Sequence, residues 1–269
     1  MMSAGSYELV AYEVADGVAT VTLNNPEKRN MLSGQMLAEL VAAMKQAKAS
    51  EEVRAVVLTG AGDKVFCAGA DLGGFAADAS LVQKHFASDL FLEFFRLMPR
   101  LGKPSLCAAN GHVLAGGMGL ALSCDLVYAS QPTQFGLPEI NAGTLADAAT
   151  IKLPKRIPYH VAMELLLTGR WMPAEEAHQW GLVNEVLPDQ TALMERVWEV
   201  ARRLEAGPPL VFAAIKEVAR AAEGAAFQDV MDQVTGRTLA TVDTLYGSQD
   251  GLEGFKAFAE KRPPVWKGR

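Results

Sequence analysis

Between Asn110 and Glu139 the chain reads NGHVLAGGMGLALSCDLVYASQPTQFGLPE, a glycine-rich turn that enters a helix, followed downstream by a carboxylate behind a proline in apolar surroundings. A helix entered through Gly116 and Gly117 leaves backbone N–H groups exposed at the positive end of its dipole, where a developing oxyanion is stabilised. Glu139 is the natural group to move protons beside them. A second glycine loop, FCAGADL, follows the strand-like run Val56 to Leu58 much as NGHVLAGG follows Ser105 to Ala109, so two turns can supply two converging donors. A phosphate cradle is the competing chemistry. GHVLAGGMG lacks the Lys and Ser/Thr of a P-loop, and no GxGxxG follows the first strand. Taken singly, either loop favours the plainer reading, close packing of a helix on a sheet.

Those turns need strands and helices to hold them. Leu9–Val14 and Val18–Leu23 are β-rich runs joined through Ala-Asp-Gly, the pattern of a hairpin. Ser33 can cap a helix to about Ala49, with Met36, Leu37, Leu40, Val41 and Met44 at helical spacing. Arg54–Leu58 reads as a strand closed by Thr59-Gly60-Ala61-Gly62. Strand, helix, strand implies a right-handed parallel crossover. The pattern then predicts a helix over Leu81–Met98, a strand at Ser105–Ala109, a helix from about Gly117 to Cys124 and a strand at Leu126–Ala129. The last third is mostly helical, with Gly207-Pro208-Pro209 and Pro263-Pro264 as stops. The outline is α/β with a helical C-terminal portion beginning near residue 205.

At 269 residues and 50% hydrophobic composition, the chain can bury a large core. A net charge of −6 and the lack of a lysine-rich helix argue against nucleic acid or an anionic membrane as partner. No window approaches the roughly 20 apolar residues that span a bilayer. Cys67, Cys107 and Cys124 are odd in number, widely spaced and set in apolar sequence, so they read as reduced core residues rather than a disulfide or zinc set. The N-terminal segment carries neither a secretory nor a transit pattern, and the expected location is cytoplasmic.

FCAGADL, NGHVLAGG, SCDLVYAS, FGLPE, LLTGR and GLVNEV, in that order, resemble the enoyl-CoA hydratase/isomerase (crotonase) superfamily, and the likeness runs from about Val18 to the C-terminal EGFKAFAEKRPPVWKGR. LPKRIP…MELLLTGRWMPAEEAHQWGLVNEV and the tail look most like its carnitinyl-CoA dehydratase branch. The resemblance implies a crotonase-like spiral of ββα units over residues 1–204. It implies a C-terminal helical region, 205–269, that completes the coenzyme A site and forms a homotrimer or dimer of trimers. The substrate it implies is an acyl-CoA thioester, with no separate cofactor and no metal expected.

Carried over residue by residue, the two N–H donors to the thioester oxygen are those of Ala70 and Gly116. Lys28 and the loop Ala68–Gly73, including Asp71 and Leu72, line the coenzyme A, while Phe258 and Lys261 meet its nucleotide, often from a neighbouring subunit. Phe86, Phe91, Phe94 and Phe95 fall on the helix that shapes the acyl pocket in this family, although aromatics at helical spacing also read as plain core.

Family hydratases hold water between two glutamates. One matches Glu139; the other position is Gly119, which has no side chain. The resemblance therefore puts simple enoyl-CoA hydration in doubt and gives a slight preference to double-bond isomerisation, in which Glu139 alone moves a proton from the α to the γ carbon. Such a base needs a pKa raised by desolvation. The alternative is a hydratase or dehydratase of a specialised enoyl-CoA, with Asp147 as a candidate second acid, although a helix N-cap is its expected role. A catalytically silent acyl-CoA binder is a distant third. Ala115 in place of the usual first glycine and Ala148-Ala149 in place of Gly-Gly are further departures. His112 reads as structural, and His85 as facing either the acyl group or solvent.

Overall fold

A computed structural model of the chain describes residues 7–70 and 89–269. The strands form two sheets. The larger has the order β1 (Val10–Ala15), β2 (Val18–Leu23), β3 (Ala55–Gly60), β5 (Ser105–Ala109), β7 (Leu126–Ser130), β10 (Glu185–Leu187). The smaller, which the sequence did not announce, has the order β4 (Val65–Cys67), β6 (His112–Leu114), β8 (Gln134–Gly136), β9 (Trp171–Pro173). β1 and β2 make the expected antiparallel hairpin, and every other ladder of the larger sheet is parallel. β3/β4, β5/β6 and β7/β8 are consecutive pairs, so each turn of the chain lays one strand in each sheet. This is the spiral of ββα units.

Alternation along the central strands explains their unbroken apolar runs, because both faces are covered. Val56, Leu58, Cys107 and Ala109 join the core that also holds Met36, Leu40 and Met44 of α1 (Gly34–Ala49). Ala55, Val57, Leu106 and Ala108 point to the opposite face, beneath Leu193, Val197 and Ala201 of α7 (Gln190–Glu205). The Ser33 hydroxyl accepts from the Met36 amide at 3.1 Å and starts α1 as expected; Asp189 starts α7 in the same way through Ala192. At the other ends, Lys103 Nζ donates to the carbonyls of Ala47 and Ser50, and Arg54 donates to those of Glu205 and Gly207. These cations satisfy carbonyls that a helix leaves orphaned and sit at the negative end of its dipole.

Of the helix expected over Leu81–Met98, the described part is α2 (Asp89–Leu97). α3 (Gly116–Ala121) is shorter than the Gly117–Cys124 expected, because the Ser123 and Cys124 amides bond back to Leu120 and Ala121 in a closing turn before Asp125. Then come α4 (Asp147–Lys152), α5 (Tyr159–Thr168) and α6 (Ala174–Gln179). Beyond α7 lie α8 (Pro209–Ala222), α9 (Phe227–Thr235), α10 (Ala240–Gly247) and α11 (Asp250–Glu260), with α8 packed on α9 and α10, and α11 on α10. Among the described residues no helix is long and apolar enough to cross a membrane.

Candidate active site

The small sheet aligns three loops. Cys67 of β4 lies beside Val113 of β6, and Leu114 of β6 lies beside Gly136 of β8, all in parallel. Three residues past Cys67 comes Ala70, three past Val113 comes Gly116, and three past Gly136 comes Glu139. Parallel register therefore brings both amides and the carboxylate to one end of one sheet.

Two buried asparagines fix the first loop. Asn30 Nδ2 donates to the carbonyls of Ala61, Val65 and Phe66 at 2.9–3.1 Å, while its Oδ1 accepts from the Asn25 amide. Asn110 Nδ2 donates to the Gly60 and Gly62 carbonyls, and its Oδ1 accepts from the Gly60 amide. Asn30 has φ +52°, a backbone state that asparagine tolerates better than most residues. No local signal marks Asn30, which stands 36 positions before Phe66 at the start of the first glycine loop and is brought to it only by the fold. The Leu32 amide then holds Gly69 by its carbonyl at 2.8 Å, and Leu32 bridges Ala70.

The two glycine turns touch. A Cβ built on Gly69 would lie 2.4 Å from Ala115 Cβ and 2.9 Å from the Gly116 nitrogen, so only glycine, here at φ +82°, permits this approach. Gly116 is the first residue of α3, so its N–H has no carbonyl one turn back to bond. Such an arrangement of Ala70 and Gly116 can offer two amides to one oxygen.

Glu139 sits in a 3-10 turn, Pro138–Ala142, that opens directly from β8. Its Oε2 is buried and makes no hydrogen bond among the described residues. Burial raises the carboxyl pKa above its ordinary value; its own backbone N–H opposes that, and the negative charge of Asp147 adds to it. Asp147 is thus near Glu139, but it is the first helical residue of α4 and not its cap, a position held by Ala146.

At Gly119 the wall is apolar. A Cβ there would meet Phe95 Cζ at 3.0 Å and Ala148 Cβ at 3.4 Å. Phe95 packs edge-on to Phe91 at 4.7 Å, and Phe91 reaches Gly116. Phe94 faces away and is fully buried core. Of the four phenylalanines weighed from sequence, Phe91 and Phe95 are the ones shown at the site; Phe86 is not among the described residues.

Ala68 donates to the Arg29 carbonyl, which places the exposed Lys28 turn beside this loop. Asp71, Leu72, Gly73 and His85 lie outside the described residues. Phe258 is 87% exposed on α11 and Lys261 ends that helix in a left-handed turn, so within one chain both stand on the surface and are not gathered with Ala70 and Gly116. His112 is structural: its Nδ1 accepts from the Gln134 amide and its ring meets Trp171 edge-on. Cys67 and Cys107 are buried free thiols and Cys124 is half-buried. Among the described residues no group of His, Cys, Asp and Glu has the arrangement of a metal site.

The profile of the enoyl-CoA hydratase/isomerase family matches residues 13–269. A carnitinyl-CoA dehydratase of Citrobacter koseri is 37% identical over 257 residues, covering 94% of this chain and 95% of that one. Among solved structures, an enoyl-CoA hydratase subunit of Geobacillus kaustophilus superposes with TM-score 0.88 at 37% identity, covering 98% of this chain and all of that one. An enoyl-CoA hydratase of Bacillus anthracis gives 0.87 at 31% identity, covering 97% of this chain and all of that one. Two touching glycine turns, a buried carboxylate at the end of the same small sheet and this likeness over nearly the whole length make the chain an enzyme of the enoyl-CoA hydratase/isomerase (crotonase) family.

Proposed function

We propose that this enzyme acts on an acyl-CoA thioester by moving a proton next to the thioester carbonyl, with the Ala70 and Gly116 amides holding the enolate oxygen and Glu139 carrying the proton. The observation that carries this reading is the meeting of the three loops at one end of the small sheet, with the buried Glu139 Oε2 free to accept. Removing one donor of such a pair costs on the order of 3 kcal/mol of transition-state stabilisation.

The reaction we favour is addition or loss of water on a specialised enoyl-CoA. The carnitinyl-CoA dehydratase relatives weigh toward it over the slight preference for isomerisation drawn from Gly119. One carboxyl suffices for elimination on a single face: Glu139 takes the α proton, and the acid so formed gives it to the departing β hydroxyl. Isomerisation is the second reading, favoured by the apolar Phe95–Ala148 wall where a second acid would stand. Incubation with saturated, 2-enoyl, 3-enoyl and 3-hydroxyacyl thioesters in heavy-oxygen water separates them. Label in the product supports water addition, a shifted double bond without label supports isomerisation, and no turnover of any thioester refutes both.

The roles of Lys28 and of residues 68–73 at the coenzyme A follow from the same reading. For the nucleotide end we propose Phe258 and Lys261 of an adjoining subunit. The exposure of Phe227, Phe255 and Phe258, each above three quarters, supports an assembly that covers the 205–269 region. Sedimentation of the purified protein tests it.

A further inference from the structure

Behind Phe95 lies a cavity of about 540 Å³, walled by the 98–104 segment, the end of α3, α4 and one face of α8. That is within the roughly 300–1,000 Å³ of small-molecule sites. Phe95 is a shared wall, since one edge of its ring closes the space at Gly119 and the ring also lines this cavity. The lining is mostly apolar, yet it carries four cationic side chains against two carboxylates, in a chain whose net charge is −6.

The pairing of those charges is uneven. Asp125 is held by Lys216 at 2.6 Å and by the Ser105 amide and hydroxyl. Glu223 is held by Arg156 at 2.9 Å. Both carboxylates are thus consumed, which leaves Lys152 and Arg220. Among the described residues Lys152 Nζ donates to the Ser123 hydroxyl at 3.2 Å and the Leu122 carbonyl at 3.4 Å, and stands 5.8 Å from the centre of the Phe95 ring. Burial lowers its pKa, against the opposing charge of Glu223, and no carboxylate forms an ion pair with it among the described residues. Arg220 has a distant carboxylate, Glu217 at 3.5 Å, that is already engaged by Thr241, and its Nε is buried without a partner. A buried N–H left unmade is costly, and an anion in the cavity that both side chains line would meet positive charge there.

We propose that this cavity takes the far end of the acyl group, which passes Phe95, and that Lys152 and Arg220 select an acyl group ending in a carboxylate or similar anion. The inference rests on the acyl-CoA reading above and narrows it to a substrate class. It also sets this enzyme apart from catalysts of acyl groups that end in a quaternary ammonium, which the two cations would repel.

Calorimetric titration with three saturated acyl-CoA thioesters of equal length, ending in a carboxylate, a methyl or a trimethylammonium group, tests it on the whole chain. The expected result is about tenfold tighter binding of the carboxylate form than of the methyl form, and weaker binding of the cationic form. Lys152→Gln combined with Arg220→Gln should reduce that preference to about twofold, and Lys152→Arg should keep it; the arginine variant also guards against a folding defect in the glutamine pair. Equal binding of the first two thioesters, a preference for the cationic one, or a preference that survives the double substitution overturns the proposal while leaving acyl-CoA binding intact. Failure of all three thioesters to bind overturns the acyl-CoA reading with it.

Discussion

The ring of Phe95 stands against Gly119 so closely that a Cβ on residue 119 would lie 3.0 Å from Phe95 Cζ. The position that the family resemblance matches to a second acid is therefore not vacant space awaiting a carboxylate. Gly119→Glu alone should fail to create rapid hydration of a simple 2-enoyl-CoA and should destabilise the fold by about 1–3 kcal/mol through overpacking. Paired with Phe95→Ala, the same glutamate gains room, and hydration should rise above that of either single variant. Chemical denaturation and a crotonyl-CoA assay report the two effects separately.

Glu139→Gln should lower kcat by about 100- to 10,000-fold while leaving the fold intact. Because the base must be ionised and burial raises its pKa, kcat/KM of the wild type should fall as pH drops through a value above the ordinary carboxylate range. The linkage to stability has the opposite sense. A carboxyl whose folded pKa is raised binds more protons folded than unfolded, so stability falls as pH rises through that interval. The glutamine variant should therefore melt higher than the wild type at neutral pH and should lose that part of the pH dependence.

Ala115 has φ +52° and ψ −125°, a conformation costly for any residue with a Cβ, at the turn that precedes the Gly116 amide. Ala115→Gly should relieve this strain and stabilise the protein by about 1 kcal/mol. Gly69→Ala presses a methyl to 2.4 Å from Ala115 Cβ and should separate the two turns. The expected signature is a fall in kcat with a smaller change in melting temperature, partly restored when Ala115→Gly is added.

Burial pushes the Cys67 thiol up to about 12, and its hydrogen bond with Cys124, together with burial, pushes the Cys107 thiol up. Neither should react with iodoacetamide in the native protein at pH 8, whereas all three cysteines should react after denaturation. Mass spectrometry of the alkylated protein distinguishes this from rapid native labelling.

Much of the scaffold was legible because its signals are local. The Asp-Gly hairpin, the Ser33 cap and the apolar runs of β3 and β5 each announce themselves within a few residues. The second sheet was not legible, since β4, β6, β8 and β9 are three residues each and too short to show alternation. At the site, Ala70, Gly116 and Glu139 could be nominated from motifs, but what fills Gly119 could not. Phe95 is one of several aromatics on a helical face, and only tertiary packing separates it from Phe94, which is plain core. Asp147 has the residue type of a cap yet is the first helical residue, because the choice between the two depends on the backbone angles of Ala146.

The two glycine turns are built from segments about 46 positions apart, and they meet only when the parallel register of β4 and β6 is in place. A piece of the chain that lacks either segment lacks the meeting of the two turns. Turnover is thus an all-or-none reporter of completed folding: recovery of activity during refolding should lag the return of helix signal and coincide with the last burial of aromatic surface.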